Sequence, residues 1–372
     1  MKRRDFLKRT YAILGGVVAG GWAHPPARAA APDAVTELYR KLPRWRGFNL
    51  MEKIGADSIM RVHADPMPGN QPYRESDFQW IADWGFDFVR LPMDYHCWID
   101  RNDPYRLNER TLKEIDQAVD WGRQYGVHVC LNMHHAPGYR VSRQLNMNLW
   151  TDKEAQKQFH FYWSHFAPRY RGIPPEQLSF DLVNEPARMS SATYAKVARQ
   201  AIAAIRKEDP GRLIIADGIP WGHNPVYELV DQKVAQSTRG YQPRELTHYN
   251  APWLDRKDWP KPRWPMTRKG QVLDRDWLDR MCIRPWKKLE ARRVGVHVGE
   301  WGVLDTVPHA IALRWMCDVL TLWKEAGWGW ALWNFRGEHG FGFLDTRRSD
   351  VVYENFHGHR LDRKMLELLR EF

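Results

Sequence analysis

The sequence predicts an α/β protein built as a single (β/α)8 TIM barrel. From Arg46 onward, short apolar or β-branched runs alternate with longer amphipathic stretches, which is the pattern of βα units around a parallel sheet. Eight such runs are present, and no long linker separates them into two domains. The length of 372 residues is compatible with one barrel, since α/β barrels often exceed the usual size of a domain.

The strands and helices can be placed in order along the chain. Helix candidates carry apolar residues at i, i+3 and i+4, and several end at a glycine just before the next strand, as at Gly126 and Gly327. The predicted strands are Arg46–Leu50, Phe86–Leu91, Val127–Met133, Leu178–Val183, Leu213–Asp217, Leu246–Tyr249, Val296–Glu300 and Gly329–Asn334. The clearest predicted helices are Arg74–Trp84, Thr111–Tyr125, Asp152–Tyr170, Thr193–Glu208, Asp274–Arg293 and Pro308–Ala326.

Two connections are longer than an ordinary βα loop, Asp100–Arg106 and Trp253–Gly270. Because insertions of this kind lie at the carboxyl ends of barrel strands, we expect both to form walls of a cleft there. The fifth unit is the least regular, since residues 222–245 show only a short helical pattern.

The first 29 residues are predicted to be an export signal. A charged start is followed by an apolar run, Tyr11–Ala23, and by small residues suited to cleavage, Ala27–Ala31. Arg3 and Arg4, followed by Asp-Phe-Leu-Lys, resemble a twin-arginine signal; a general secretory signal containing two arginines is the alternative. The mature barrel domain is then residues 30–372, and we expect it in the periplasm or outside the cell.

The formal net charge of +11 does not indicate a nucleic-acid partner. Residues 1–29 contain six basic residues and one acidic residue, and the other basic residues are scattered without a zinc-finger or RNA-recognition signature. The sequence has no stretch of 18 or more apolar residues, so we expect no membrane anchor in the mature form. We also expect the protein to be a monomer.

The four cysteines, Cys97, Cys130, Cys282 and Cys317, have neither a C-x-x-C pair nor the spacing of zinc ligands. A chain that folds in the cytoplasm before export does not need disulfides, so we expect buried free thiols. A bridge between Cys97 and Cys130 is the alternative.

Polar residues follow the predicted strands and should gather at one end of the barrel, where barrel enzymes carry their chemistry. Glu185 follows strand four and Glu300 ends strand seven, so their carboxylates can approach to about 5 Å across the barrel mouth, the separation found in retaining glycosidases. The other candidates on this rim are Arg90, His134, Asn184, His248, Tyr249 and Trp333.

The surroundings expected for the two glutamates differ. Arg90 can reach Glu300 and favour the ionised form that a nucleophile needs, whereas the strand pattern places no arginine beside Glu185. The negative charge of Glu300 would also raise the pKa of Glu185. We therefore predict that Glu300 is the nucleophile and that Glu185 is the general acid/base, with Asn184 able to bind a sugar 2-hydroxyl.

Motifs at the predicted strands follow one another in order between residues 46 and 345, and include Asn-Glu-Pro and Gly-Glu-Trp-Gly. They are Arg46–Leu50, Val89–Pro92, Met133–His134, Val183–Pro186, His248–Tyr249, Val298–Gly302 and Ala331–Asn334. This set resembles the strand motifs of glycoside hydrolase family 5, the cellulase-like barrels of clan A. The resemblance implies the same two roles for Glu185 and Glu300, and sugar contacts by Arg90, His134, Asn184, His248 and Trp333.

One motif departs from the family pattern. The family often has His-x-Tyr on strand six, but here Tyr249 directly follows His248, which leaves open which tyrosine contacts the nucleophile. The segment Met133–Gly138 is also similar to the His-Gly-Ala-Pro-Gly of exo-1,3-glucanases in the same family, so the linkage stays open.

The resemblance implies a retaining β-glycoside hydrolase that acts on a polysaccharide or oligosaccharide without a cofactor. We expect an endo-β-1,4-glucanase, with a β-mannanase or an exo-β-1,3-glucanase as alternatives. The sequence contains 20 tryptophans, most of which must be packing residues. The candidates for sugar-stacking platforms are Trp98, Trp221, Trp253 and Trp301, for each of which loop packing is the alternative.

Two other classes of protein fit the sequence less well. A metal-dependent hydrolase would draw on His134, His135, His248 and His297, but the chain has no H-x-H or H-E-x-x-H spacing. A non-catalytic carbohydrate-binding barrel typically lacks one of the two carboxylates, and both are present here.

Overall fold

Eight parallel strands form a closed barrel in the computed structural model, which describes residues 37–56, 59–62, 65–141, 148–256, 258–337 and 340–372. The predicted export signal lies outside the described residues. The strands follow one another around the barrel in chain order and the last pairs with the first, which confirms the predicted (β/α)8 architecture. The strands are β1 Arg46–Asn49, β2 Phe88–Asp94, β3 His128–His135, β4 Leu178–Asp181, β5 Leu213–Asp217, β6 Ala235–Gly240, β7 Val296–Trp301 and β8 Gly329–Leu332.

The helices begin and end at residues suited to those positions. The side chains of Asn108, Asp152 and Ser190 accept hydrogen bonds from first-turn backbone N–H groups, and Gly126 and Gly327 end their helices in the left-handed conformation. The helices are α1 Glu75–Asp83, α2 Glu109–Tyr125, α3 Lys153–Arg169, α4 Ser191–Glu208, α5 Arg244–Thr247, α6 Arg275–Leu278, α7 Arg284–Glu290, α8 His309–Ala326 and α9 Arg363–Glu371.

The predicted sixth strand, Leu246–Tyr249, is wrong. The strand between β5 and β7 is Ala235–Gly240, whereas Leu246 and Thr247 lie in the short helix α5. β6 has the sequence Ala-Gln-Ser-Thr-Arg-Gly and is almost entirely buried although it is polar. Such a strand has no apolar run that would reveal it in the sequence. Its polar side chains can be buried because they form hydrogen bonds with other groups inside the protein.

The other predicted elements differ from the structure mainly at their ends. The predicted helix Asp274–Arg293 is divided into α6, a π-helical segment Asp279–Ile283, and α7. The irregular fifth unit contains a 3-10 helix, Tyr227–Gln232, before β6 begins.

Within the described part of the chain, four antiparallel hairpins supplement the barrel, and two of them fall within or beside the predicted insertions. One joins Ile99–Asp100 to Asp103–Leu107 after β2, and another joins Met266–Arg268 to Gln271–Leu273 after β6. The remaining two pair Ile59–Val62 with Asp65–Pro68 and Glu354–Phe356 with His359–Leu361.

The amino ends of the strands are closed by the segment that leads into β1. Tyr39, Leu42 and Trp45 are buried there against the first residues of several strands, and the Trp45 ring stacks on His128 at 3.7 Å. The carboxyl ends of the strands are therefore the end of the barrel at which a polar site can form.

Within the described residues, no helix has both the length and the apolar character needed to cross a bilayer. All four cysteines are free thiols; Cys97 and Cys130 are buried, and Cys282 and Cys317 are partly buried.

Candidate active site

The carboxyl ends of the strands enclose a buried polar cluster organised by two arginines. The first is Arg90 of β2, whose Nη1 donates to Glu300 Oε1 at 2.7 Å and whose Nη2 donates to Asn184 Oδ1 at 2.8 Å. Its Nε donates to Asp181 Oδ2 at 2.8 Å, and Nη1 also contacts Asn49. The predicted contact between Arg90 and Glu300 is therefore confirmed.

The second arginine, Arg239 of β6, contacts both glutamates. Its Nε donates to Glu185 Oε1 at 3.1 Å, and its Nη2 lies 3.4 Å from Glu300 Oε1. The prediction that no arginine lies beside Glu185 is wrong, because it depended on the misplaced sixth strand. Arg239 also donates to Asn184 Oδ1 at 2.9 Å, so both guanidinium groups fix the orientation of that amide.

Glu185 has an unusual backbone conformation. Its φ is +47°, in the left-handed region that residues other than glycine seldom occupy. Its N–H donates to Asp217 Oδ2 at 2.8 Å, and its carbonyl accepts a hydrogen bond of 2.6 Å from the Tyr139 hydroxyl. These contacts on both sides of the residue hold it in a strained conformation of the kind found at functional sites.

Burial and the charge of Glu300 raise the pKa of Glu185 above its ordinary value, while Arg239 and Arg90 oppose this rise. The direction agrees with the prediction from the sequence. Burial and the charge of Asp217 also raise the pKa of Asp181, so the cluster contains more carboxyl groups than its two arginines can neutralise.

The tyrosine that contacts Glu300 is Tyr241, which follows β6. Its hydroxyl donates to Glu300 Oε2 at 3.3 Å. Tyr249 instead lies against Trp259, and its carbonyl accepts a hydrogen bond from Thr306. The segment Arg239-Gly240-Tyr241 therefore occupies the place on strand six where a His-x-Tyr motif was expected.

Three further predicted residues lie beside this cluster. The rings of His134 and Trp333 stack at 5.4 Å with an interplanar angle of 16°, and the His248 ring lies 5.1 Å from that of Tyr241. Burial lowers the pKa of both histidines, that of His248 to about 3, so both are neutral imidazoles near pH 7. Neutral rings beside Trp333 suit a sugar, which presents hydroxyl groups rather than charges.

Two of the four predicted tryptophan platforms are wrong. Trp301 has an exposure of 0% and packs with Trp323 and Trp330 between the barrel and α8, and Trp98 is buried against α3. Trp221 is 39% exposed next to the Glu185 loop, and Trp253 is partly buried beside His248. Of the four predicted platforms, Trp221 and Trp253 stay available for stacking with a sugar.

Several residues of the site are not among those predicted from the sequence. Asp217 ends β5 at the predicted place and could have been recognised as an acid at the carboxyl end of a strand. Asp94 lies beyond the predicted end of strand two; it accepts hydrogen bonds from His135 at 3.0 Å and Arg140 at 2.7 Å. Asn49, Asp181, Arg239 and Tyr241 complete the set of missed residues.

Among the residues that the structure describes, no group of three His, Cys, Asp or Glu side chains is arranged to hold a metal ion. His297 lies near the opposite end of the barrel, where its ring is 4.5 Å from that of Phe88.

Comparison with known proteins identifies the family. A family model described as cellulase, glycosyl hydrolase family 5, matches residues 53–339. The chain belongs to glycoside hydrolase family 5. This family 5 protein is a retaining β-glycoside hydrolase, which rules out the non-catalytic alternative.

Relatives and solved structures agree with this membership. The family 5 chain is 27% identical over 306 residues to Endoglucanase C of Acetivibrio thermocellus, covering 75% of this chain and 88% of that protein. It is 27% identical over 263 residues to Cellodextrinase A of Ruminococcus flavefaciens, covering 68% of this chain and 76% of that protein.

Among solved structures, a crystal structure titled as a glycoside hydrolase is 37% identical, with a TM-score of 0.81 and coverage of 88% of this chain and 99% of that one. An endoglucanase of Thermotoga maritima is 21% identical, with a TM-score of 0.70 and coverage of 91% and 99%. The second likeness shows the fold alone.

Replacing Tyr241 by phenylalanine removes its hydrogen bond to Glu300 and is expected to lower kcat on an aryl β-glycoside by about tenfold or more, because a hydrogen bond to a charged group contributes about 1.5–3 kcal/mol. Tyr249→Phe is the matched control and should keep activity close to that of the wild type. Steady-state kinetics of the two variants check this; equal losses would mean that Tyr241 is not the tyrosine that matters.

Proposed function

We propose that this enzyme is an endo-β-1,4-glucanase in which Glu300 is the nucleophile and Glu185 the general acid/base. One observation carries the proposal: two carboxylates from opposite sides of the barrel mouth, that of Glu300 buried and that of Glu185 largely buried, contact a single guanidinium group, that of Arg239. The roles differ because Glu300 also receives the hydrogen bond from Arg90, whereas burial and Glu300 favour the protonated form of Glu185. The glucan substrate is supported by the endoglucanase and cellodextrinase relatives.

In the first step, Glu300 attacks the anomeric carbon and Glu185 gives its proton to the leaving oxygen. Oε1 of Glu300 is held by Arg90 and Arg239, and Oε2 faces the Tyr241 hydroxyl, so Oε2 is the oxygen available for attack. The sugar is then bound covalently to Glu300, and Glu185 is a carboxylate. In the second step that carboxylate takes a proton from water, and the resulting hydroxide displaces Glu300.

Asn184 and the aromatic residues hold the sugar at the cleavage position. Both arginines donate to Asn184 Oδ1, so the NH2 group of its amide is the part that can donate to the 2-hydroxyl. Trp333 supplies an apolar face for the ring, with His134 and His248 beside the site and Trp221 on its more exposed side. Tyr249 lies farther out, in the loop after α5.

The two roles can be separated with an aryl glycoside that has a good leaving group. Glu185→Gln should still form the glycosyl-enzyme, since such a leaving group needs little acid, but should hydrolyse it slowly. Mass spectrometry of the intact protein is expected to show the covalent adduct on Glu185→Gln and none on Glu300→Gln.

The exposed Glu176→Gln, at the amino end of β4, is the control for this pair and should turn over normally. An adduct on Glu300→Gln would mean that Glu300 is not the nucleophile. Full activity in either site variant would mean that the changed glutamate is not catalytic.

The substrate is tested with oligosaccharides of three series, cello-, laminari- and manno-, resolved by product length and anomer. We expect internal cleavage of the cello-series with the β-anomer formed first, and no cleavage by Glu300→Ala. Cleavage confined to the manno-series would instead make the enzyme a mannanase, and release of single sugars from the laminari-series would make it an exo-β-1,3-glucanase.

We also propose that residues 1–29 are a twin-arginine signal and that the mature enzyme, residues 30–372, acts as a monomer in the periplasm or outside the cell. Changing Arg3 and Arg4 together to lysine should abolish export, since the twin-arginine route reads that pair. The periplasmic fraction of a bacterial host is assayed for the shortened protein, with Arg9→Lys as control. Unchanged export by the double variant would favour the general secretory alternative.

A further inference from the structure

Arg239 is placed so that it can serve both catalytic carboxylates at once. Its register partner across the β6–β7 pair is Glu300, and the pairing shifts between Thr238 and Arg239. Such an irregularity re-aims a side chain at the end of a strand. It places the buried guanidinium with Nε on Glu185 and Nη2 towards Glu300.

The guanidinium is also held by two residues other than the glutamates, Asp217 and Ser237. Nη1 donates to Asp217 Oδ1 at 3.0 Å and to Ser237 Oγ at 2.9 Å, and Nη2 donates to the second Asp217 oxygen. A planar group bound through both of its terminal nitrogens has little freedom to rotate. Its position is therefore set by Asp217 and does not require either glutamate to be charged.

Two glycines leave the space in which the arginine side chain lies. A Cβ atom on Gly299 would come within 2.9 Å of Arg239 Nη1 and 2.4 Å of Ser237 Oγ. A Cβ atom on Gly222 would come within 2.5 Å of Arg239 Cγ. Any larger residue at either position would displace the arginine.

We propose that Arg239 is a positioning residue that holds both catalytic carboxylates on one guanidinium group. Its positive charge stabilises the carboxylate of Glu300 before the first step and the carboxylate of Glu185 after it. This inference rests on the function proposed above. When the bond from the anomeric carbon to Glu300 forms and the bond to the leaving oxygen breaks, Glu300 loses its charge. Glu185 releases its proton to that oxygen and becomes the carboxylate.

The summed charge of Glu185 and Glu300 is therefore the same before and after the first step, and Arg239 does not have to move. A fixed cation that needs no rearrangement during the reaction is the most effective form of electrostatic stabilisation. Arg90 does not serve this purpose, because its nitrogens contact Glu300, Asn184, Asn49 and Asp181.

Several charged or titratable groups act on Glu185, and they must be considered in a pH experiment. They are Arg90 of β2, Tyr139 after β3, Asp217 of β5, Arg239 of β6, Tyr241 after β6 and Glu300 of β7. Burial raises the pKa values of both tyrosines, so they are neutral in the working range. Loss of Arg239 would leave Asp217 and Glu300, which raise the pKa of Glu185, opposed by the positive charge of Arg90 alone.

The test is the pH profile of kcat/KM for wild type, Arg239→Gln and Arg239→Lys on an aryl β-cellobioside. The protonated form of Glu185 acts in the first step, so its pKa sets the limb on the basic side. Arg239→Gln removes a cation within contact distance, and that limb should move to higher pH by about one pH unit. Arg239→Lys keeps the charge and should keep the limb closer to that of the wild type.

The second step gives an independent readout. Glu185 must be ionised to act as a base there, and loss of the cation beside it disfavours the ionised form. Arg239→Gln should therefore accumulate more glycosyl-enzyme than the wild type in rapid-quench mass spectrometry. Gly299→Ala keeps every charge but presses on the guanidinium, so it should move the basic limb in the same direction by a smaller amount. It serves in place of Arg239→Gln if that variant does not fold.

Arg212→Gln is the matched structural control, since Arg212 is an equally buried arginine paired with Asp209 just before β5. It should lower the melting temperature and leave the pH profile unchanged. A basic limb that stays in place in Arg239→Gln, or moves equally in Arg212→Gln, overturns the proposal. If Glu185→Gln still shows the basic limb of the pH profile, then Glu185 is not the general acid/base, and the proposed function fails rather than the role of Arg239.

Discussion

The site depends on the pairing of two buried guanidinium groups with four carboxyl groups, of which three are buried and that of Glu185 is largely buried. Moving a charge out of water is costly, and the cost is offset only where an opposite charge with good hydrogen-bond geometry is fixed nearby. Arg90 and Arg239 provide this for Asp181, Glu185, Asp217 and Glu300. Removing one partner would leave the remaining charges uncompensated in the barrel mouth.

The barrel scaffold keeps these groups in place. Parallel strands bring side chains from distant parts of the sequence to one rim, and irregular pairing at β6 and β7 directs Arg239 and Glu300 towards each other. The strained backbone of Glu185 is held by Asp217 and Tyr139. The residues that carry charge and the residues that fix the backbone thus form one hydrogen-bonded unit.

The sequence was sufficient for the architecture and for the two glutamates because both lie at or just past the ends of buried apolar strands. It was insufficient for Arg239, because β6 is polar along most of its length and its buried partners come from other strands. Trp301 was misassigned for a different reason. Neighbouring residues in a strand face opposite sides, so if Glu300 points into the barrel mouth, Trp301 must point towards α8. That inference needed no structure.

The packing of Tyr39, Leu42 and Trp45 under the amino ends of the strands determines how the enzyme can be attached to a surface. Residues 37–45 lie at the face opposite the cleft, so a tether attached at residue 37 would begin on the side away from the catalytic rim. An enzyme immobilised through such a tether would present its open face to solid fibres, and a tether inserted in the loops after β6 would obstruct that face.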